Sequence, residues 1–247
     1  LALLLPLIGG TAYAWNLKRN LDDIDTVKIK TPKAVPDPDE GRAINVLLLG
    51  SDKGEAKPGQ SKKTSISQDA SASEWPSGKY RSDTLMVVHI PADRSRVYLV
   101  SIPRDSFVPI YDRDDKTTHS EKINAAFSAG GPAAAINTVR NLTGLEIDHL
   151  AIIDWEGFKD LSTAVGGVEV TIPESFYDPK QKIRWEAGTQ TLEGKEALAY
   201  VRTRYGLIGG DFDRIKRQQN FLRSLMKKML SNGVTANPAK LSNTASA

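Results

Sequence analysis

The chain of 247 residues contains no cysteine, which excludes disulfide bonds, thiolate metal sites and a cysteine nucleophile. Histidine occurs only three times, and aromatic residues make up only 7% of the chain. No uncharged run reaches the roughly 20 residues of a membrane-spanning helix, and no P-loop, G-x-G-x-x-G or H-E-x-x-H motif occurs. The remaining composition, 40% apolar and 26% charged, is that of a globular protein and excludes disordered, fibrous and polytopic membrane proteins.

The net charge of +3 conceals an uneven distribution along the chain. Residues 1–178 hold 20 basic and 25 acidic residues, whereas residues 179–230 hold 12 basic and 5 acidic ones. A basic segment that follows an acidic body favours an anionic ligand, which could be a phosphate, a nucleic acid or a membrane surface.

The N-terminal residues 1–17 are apolar and begin with Leu1 rather than Met. They are interpreted as a truncated membrane anchor, followed by a proline-containing spacer at 18–43. The alternatives are a secretory signal with a small-residue cleavage site at Thr11–Ala14, and a buried helix of the domain.

Residues 44–231 predict one α/β domain with a central mixed β-sheet flanked by helices. Apolar, β-branched runs predict strands at 44–49, 84–90, 97–102, 150–153 and 168–172, the second and third of them joined as a hairpin. Apolar spacing and glycine stops predict helices at 124–142, 155–165, the first part of 192–201, and 211–230. Residues 53–80 predict a mobile loop insertion, and residues 232–247 a disordered tail.

Charged residues lie at the ends of three predicted strands. Because alternate residues of a strand share a face, Arg81 and Asp83 are expected to point the same way. Ligand sites of α/β proteins lie at strand ends, so Asp52, Asp83, Arg104 and Asp105 are expected to converge at one edge of the sheet. The alternative is that each is a solvated turn residue.

A second cationic pattern is the sequence Tyr-Val-Arg-Thr-Arg-Tyr at 200–205. Arg202 and Arg204 can face one ligand only if the chain is extended there, because on a helix they lie about 200° apart. Valine, threonine and tyrosine favour the extended form, and two guanidinium groups suit a pyrophosphate. The alternative is an exposed edge strand protected by charge.

In the last predicted helix, one stripe is polar at its start and apolar further on, in the order Asp211, Arg214, Gln218, Phe221 and Leu225. The stripe is expected to face inward, with its polar end at a site. The remaining basic residues of the helix are expected to be solvated: Lys216, Arg217, Arg223, Lys227 and Lys228.

Taken together, these segments resemble the LytR-CpsA-Psr family of bacterial cell-envelope enzymes. The resemblance covers residues 44–231 and rests on the whole set of motifs: INVLLLGSD (44–52), RSDTLMVVHI (81–90), SIPRDSFVPI (101–110), KINAAFSAGG (122–131), TGLEIDHLAIIDWEGFKDLSTAVGGVEVTIP (143–173), LEGKEALAYVRTRY (192–205) and DFDRIKRQQNFL (211–222). The resemblance implies a single-pass membrane protein whose extracellular domain transfers a glycopolymer phosphate from a polyprenyl-pyrophosphate carrier to peptidoglycan, and it implies no nucleic-acid partner.

The resemblance also implies roles for particular residues. Asp52 and Asp83 would hold Mg²⁺, with Mn²⁺ as the alternative cation. The catalytic residues would be Arg104, Asp83, Arg202, Arg204 and Asp211. The pyrophosphate would be bound by Arg81, Arg104, Lys122, Arg202, Arg204, Arg214 and Gln218. A lipid slot between the sheet and the helices would be lined by Phe221, Leu225 and Met226, for which ordinary core packing is the alternative.

Two departures from the family pattern qualify these roles. Asp213 stands where the family usually has glycine, so the turn into the last helix is expected to differ. The insertion at 53–80 makes Asp52 the least secure metal ligand. Two other functions stay open on the sequence: a lipid-pyrophosphate hydrolase that uses water, and a nucleic-acid-binding transcriptional regulator, which the lack of interleaved aromatics disfavours.

Overall fold

The structure, a computed structural model, describes residues 29, 41–53, 66–72, 74–93, 95–204 and 209–231. The anchor, most of the spacer and the tail expected at 1–17, 18–43 and 232–247 lie outside these residues, apart from positions 29 and 41–43. The chain divides into two compact units, with the division after Trp155. They are called the first unit (the described residues from 29 to 155) and the second unit (the described residues from 156 to 231).

The first unit contains six strands and two helices among its described residues. They are β1 (Ile44–Lys53), α1 (Ile66–Ser71), β2 (Tyr80–Ile90), β3 (Tyr98–Ile102), β4 (Phe107–Tyr111), β5 (Thr117–Lys122), α2 (Asn124–Thr143) and β6 (His149–Asp154). A four-stranded sheet has the order β3-β2-β1-β6. β1 runs antiparallel to β2 and parallel to β6, and β2 and β3 form the predicted hairpin. The predicted mixed α/β class with a central mixed sheet is therefore confirmed.

The core of the first unit forms where α2 and the sheet bury their apolar side chains. Leu47 and Leu49 of β1 and Val87 of β2 are fully buried, together with Val139 of α2. Burial of each such side chain contributes about 1.5–3 kcal/mol to stability. This packing holds the strand ends that carry the charged residues.

Helix α2 is interrupted at Gly131, whose φ of 71° and ψ of −158° are not helical. Pro132 follows and begins the regular second part of the helix. The helix ends at Gly144, which has the left-handed φ of 72° that favours glycine.

Part of the predicted loop insertion forms a helix and packs against the rest of the first unit. Residues 66–71 form α1, and Trp75 lies with its ring centroid 5.1 Å from that of Tyr80 and 5.3 Å from that of Phe127. The indole Nε1 of Trp75 also donates to the carbonyl of Ser128 at 3.2 Å. These residues are therefore helical or contact α2 through Trp75, and the mobility of the insertion stays a prediction.

The described residues of the second unit form four short strands and three helices. They are α3 (Trp155–Ala164, which begins at the division), β7 (Val168–Ile172), β8 (Phe176–Asp178), β9 (Ile183–Trp185), β10 (Gly188–Leu192), α4 (Gly194–Arg202) and α5 (Asp211–Ser231). β7 pairs with β10 and β8 with β9, both antiparallel. A separate buried core includes Val168, Tyr200 and Phe221.

Candidate functional site: a charged cluster and an arginine segment

The strand that begins the RSDT motif presents its charged residues on one side. Tyr80 and Ser82 of β2 are buried, whereas Arg81 is exposed and Asp83 is partly exposed. The Ser82 hydroxyl donates to the carbonyl of Thr84 at 2.8 Å, which fixes the buried side of the strand. Arg81 and Asp83 therefore share a face, as predicted.

A β-bulge occurs where β1 and β2 carry these residues. Gly50 pairs with Thr84 and Ser51 pairs with Ser82, so Asp83 is the extra residue of β2. Strand β1 continues beyond the predicted Leu49, and the backbone of Asp52 lies opposite that of Arg81. The side chain of Asp52 is outside what the structure describes, so its role as a metal ligand stays a prediction.

Arg104 lies in the turn that follows β3, and two backbone contacts fix that turn. The amide of Ser106 donates to the carbonyl of Pro103 at 2.9 Å, which closes it. The amide of Asn124, at the start of α2, donates to the carbonyl of Arg104 at 3.3 Å. The position of the Arg104 backbone is thus set by a helix start as well as by the strand end.

Four charged side chains meet at this edge in alternating order. Arg104 Nη1 lies 2.5 Å from Asp83 Oδ1, and Arg104 Nε lies 3.4 Å from Asp105 Oδ2. Lys122 Nζ, at the end of β5, lies 2.7 Å from Asp105 Oδ1. These four residues and the neighbouring Arg81 are called the Arg104 cluster. The predicted convergence of Asp83, Arg104 and Asp105 is confirmed, and Lys122 joins them.

The Arg104 cluster carries a net charge of +1, because three cations face two carboxylates. The side chains of Asp83, Asp105 and Lys122 are 41%, 48% and 60% exposed, whereas that of Arg104 is 21% exposed. The hydrogen bond from Lys122, aided by the charge of Arg104, holds the pKa of the Asp105 carboxyl below its ordinary value. The cluster therefore presents solvent-accessible cationic groups beside two carboxylates.

We expect Asp105→Asn to tighten the binding of inorganic pyrophosphate to the full chain by roughly fivefold at low salt, since one nearby negative charge at water-like screening is worth about 1 kcal/mol. Isothermal titration calorimetry measures this change, and the gain should shrink in high salt. Weaker binding by the variant would mean that Asp105 acts mainly by orienting Arg104 and Lys122.

In the second unit, the sequence around Arg202 is helical where an extended chain was expected. Helix α4 runs to Arg202, so the prediction is wrong for residues 200–202. The physical reason is burial, because Ala197, Tyr200 and Val201 form an apolar helical face. The chain leaves the helix at Thr203, which has φ −57° and ψ 128°.

A buried residue, Thr203, lies between the two arginines. Thr203 is fully buried, whereas Arg202 is exposed and Arg204 is partly exposed. Both arginines are therefore accessible to solvent, and their joint binding of one ligand stays a prediction. Residues 201–204 are called the arginine segment.

Helix α5 buries the stripe that the sequence identified. Arg214, Phe221 and Leu225 are 3%, 1% and 4% exposed, and Gln218 is partly buried. Gln218 Nε2 donates to the carbonyl of Val201 at 3.3 Å, next to the arginine segment. The inward orientation is confirmed. Nothing is described of the Asp211 side chain, and its catalytic role stays a prediction.

Phe221 and Leu225 belong to the core of the second unit, and Met226 is partly buried. Core packing thus accounts for the burial of Phe221 and Leu225, and the lipid-slot role of all three stays a prediction. Asp213 Oδ2 accepts a hydrogen bond from the amide of Gly209 at 2.7 Å, so this departure from the family pattern closes the turn into α5.

Arg217 contradicts the expectation that it is solvated. It is 7% exposed, its Nη2 donates to the carbonyl of Thr203, and its guanidinium carbon lies 5.5 Å from the ring centre of Phe176. The sequence carried one available signal, because Arg217 follows Arg214 and Phe221 follows Arg217 at helical spacings of three and four. The stripe that the sequence predicted to face inward did not include Arg217.

Two features are absent from the described ranges. No helix within them is long and apolar enough to cross a membrane. Nor do these residues contain a group of three or more histidine, aspartate or glutamate side chains placed to hold a metal ion.

The fold and the Arg104 cluster define a mixed α/β protein with a cluster of accessible charged side chains at the ends of its strands. The LytR_cpsA_psr family profile matches residues 11–247. The chain belongs to this family.

Named relatives agree with this assignment. The cell wall biosynthesis protein LcpA of Corynebacterium glutamicum is 35% identical over 231 residues, which cover 83% of this chain and 43% of LcpA. The polyisoprenyl-teichoic acid–peptidoglycan teichoic acid transferase TagV of Bacillus subtilis is 38% identical over 173 residues, which cover 68% of this chain and 44% of TagV. The chain therefore spans less than half the length of these two relatives.

Among solved structures, the crystal structure of B. subtilis TagV matches with a TM-score of 0.60 at 34% identity. The match covers 77% of this chain and 66% of that chain. The mixed α/β fold is thus shared with a solved member of the family.

Proposed function

We propose that the chain is a phosphotransferase that moves a glycopolymer from a polyprenyl-pyrophosphate carrier to peptidoglycan in cell-wall assembly. The names of LcpA and TagV support the role in the cell wall, and that of TagV supports the transfer to peptidoglycan. The observation that carries the proposal is the Arg104 cluster, in which an arginine and a lysine are held by carboxylates at an accessible edge.

In the proposed reaction, a peptidoglycan hydroxyl attacks the phosphorus attached to the glycopolymer. A phosphodiester bond forms, the bridging P–O bond of the pyrophosphate breaks, and the lipid monophosphate leaves. The hydroxyl proton passes to water. Negative charge grows on the leaving phosphate, so fixed guanidinium groups that bind its oxygens lower the barrier.

Arg104 is suited to that task because its carboxylate partners hold its planar fork in place. Asp83 and Asp105 contact different nitrogens of Arg104. Because the hydrogen bond from Nη1 to Asp83 restricts the guanidinium, less freedom is lost when a phosphate binds. Arg81 and Lys122 of the same cluster add charge. The binding of phosphate oxygens by Arg202, Arg204, Arg214 and Gln218 stays a prediction from the family resemblance.

The carboxylates of the cluster also fit a divalent cation in kind. Mg²⁺ prefers carboxylate and phosphate oxygens, and it commonly binds through one or two carboxylates plus substrate phosphates. Asp83 presents a partly exposed carboxylate, and Asp52 lies on the neighbouring strand opposite Arg81. We propose that Asp52 and Asp83 hold Mg²⁺, which would neutralise charge on the pyrophosphate.

Membrane attachment through residues 1–17, with the domain on the extracellular side, is part of the same proposal. It is supported by the apolar character of that segment and by the lipid nature of the proposed donor.

The decisive experiment incubates the full chain with a polyprenyl-pyrophosphate-linked glycan, peptidoglycan and Mg²⁺. Mass spectrometry is expected to detect glycan joined to peptidoglycan through a phosphodiester, together with lipid monophosphate. EDTA should suppress both products, and added Mg²⁺ should restore them.

The control omits peptidoglycan. Release of glycan phosphate at an unchanged rate, with no phosphodiester formed when peptidoglycan is present, would establish a hydrolase instead. No consumption of the lipid-linked glycan in either reaction would overturn the proposal.

A further inference from the structure

The arginine segment is held at its central residue from two directions. Thr203 is fully buried, and its carbonyl accepts a hydrogen bond from Arg217 Nη2. Its hydroxyl oxygen accepts from Gln181 Nε2 at 2.9 Å and donates to the carbonyl of Ala199 at 3.0 Å. The Thr203 amide also donates to the Ala199 carbonyl at 3.1 Å. The amide, the carbonyl and the hydroxyl of Thr203 are therefore all hydrogen-bonded.

Gln181 is itself fixed by a buried carboxylate. Asp178 Oδ2 accepts from Gln181 Nε2 at 3.0 Å, and Asp178 Oδ1 accepts from the amides of Lys180 and Gln181 at 2.9 and 3.0 Å. Burial alone would raise the pKa of Asp178, but these hydrogen bonds outweigh it and the pKa lies below its ordinary value. The carboxyl is thus an ionised anchor that orients the Gln181 amide toward Thr203 and Ala199.

Arg217 places a buried guanidinium against a backbone carbonyl, that of Thr203. A buried guanidinium costs free energy unless it is well paired, and burial lowers the pKa of Arg217 against the attraction of Tyr200, Asp213 and Asp178. Replacing buried charges by well-packed apolar side chains is often neutral or stabilising. Stability alone therefore gives a weak reason for an arginine here, whereas a fixed geometry of the arginine segment gives a direct one.

We infer that Arg217 and Gln181, the latter oriented by Asp178, are positioning residues that hold Thr203 and thereby set Arg202 and Arg204 to bind a diphosphate. The inference rests on the proposed function and goes beyond it, because Arg217 and Gln181 would act through Thr203 and Asp178 through Gln181. A displacement of about 1 Å in a binding group can cost on the order of 100-fold in rate, so the loss of one such contact should be measurable.

The test uses the full chain, with geranyl pyrophosphate as the binding probe and the lipid-linked glycan as the substrate. Gln181→Ala is expected to raise the Kd for geranyl pyrophosphate about tenfold and to lower kcat roughly 10- to 100-fold. Thr203→Val, which keeps the shape but removes the hydroxyl, should behave similarly, whereas Thr203→Ser should retain at least about half of wild-type activity. Because Gln181 and Thr203 act through one hydrogen bond, the Gln181→Ala/Thr203→Val double variant should lose little more than either single variant.

Gln190→Ala is the matched control. Gln190 lies in the same unit, and its Nε2 also donates to a backbone carbonyl, that of Glu186, at 2.6 Å. It should bind and turn over like the wild type. Thermal unfolding of every variant distinguishes a misplaced arginine segment from loss of the fold. If Gln181→Ala is unstable, the comparison of Thr203→Val with Thr203→Ser tests the positioning role.

Failure of the wild type to bind geranyl pyrophosphate would count against the proposed function. Wild-type binding together with unchanged binding and kcat in both Gln181→Ala and Thr203→Val would overturn the positioning role alone. Equal losses in Thr203→Ser and Thr203→Val would also overturn it, because the hydroxyl would then not be the feature that matters.

Discussion

Arg104→Ala is expected to lower kcat for glycopolymer transfer by about 1,000-fold, with a smaller rise in KM. The reason is that a guanidinium fixed by Asp83 and Asp105 is proposed to stabilise charge that develops only as the lipid phosphate leaves. Arginines with this role in phosphoryl transfer contribute about 10³–10⁵ in kcat. The rate of lipid monophosphate formation, measured over a range of substrate concentrations, checks both parameters.

Two further variants make that result specific. Arg104→Lys keeps the charge but loses the planar fork, so it should recover only part of the activity. Arg96→Ala removes an exposed arginine from the first unit and should leave kcat unchanged. If Arg104→Ala raised KM with kcat intact, Arg104 would bind the ground state only, and its proposed part in the transition state would be wrong.

Most of the Arg104 cluster could be predicted from the sequence, because its members flank segments with clear strand patterns. The runs 84–90 and 97–102 are apolar and β-branched, so they predict strands, and the residues that flank strands collect at sheet edges. Period-two alternation then placed Arg81 and Asp83 on one face. Lys122 required the resemblance, because β5 is exposed at every position and has no apolar residue to reveal a strand.

Other parts of the fold left no comparable pattern. β4 contains Pro109, which weakens a strand prediction, and β8 and β9 have only three residues each. Residues 179–184 contain no motif that indicates a contact between Gln181 and Thr203. Such contacts join residues far apart in sequence, and a single sequence contains no record of them.

Helix α4 shows how burial decides an ambiguous sequence. Tyr200 and Val201 have high β-propensity, yet both are buried on the helical face with Ala197. Propensity differences of this kind are below about 1 kcal/mol per residue, whereas burying each large side chain contributes about 1.5–3 kcal/mol. Packing therefore extended the helix to Arg202, and the extended conformation that the arginines need begins only at Thr203.

The order of the segment before Arg81 depends on one glycine, and Gly131→Ala is expected to destabilise the protein by about 3 kcal/mol. Its φ of 71° and ψ of −158° lie in a region that is essentially restricted to glycine, at a cost of roughly 1–3 kcal/mol for other residues. A Cβ there would also lie 2.6 Å from Trp75 Cδ2, which adds an overpacking cost of about 1–3 kcal/mol. For a chain of this size the melting temperature should fall by roughly 6–12 °C, measured by circular dichroism.

Gly144→Ala is the matched control, because Gly144 has nearly the same φ of 72° but no atom within 4 Å of an added Cβ. It should cost only about 1–2 kcal/mol, the ordinary penalty of a left-handed residue. Adding Trp75→Ala to Gly131→Ala should cost less than the two changes summed, because the overlap is then absent. Equal destabilisation by Gly131→Ala and Gly144→Ala would mean that Trp75 yields easily. The contact between Trp75 and α2 would then not be what holds the segment leading to Arg81 and Asp83.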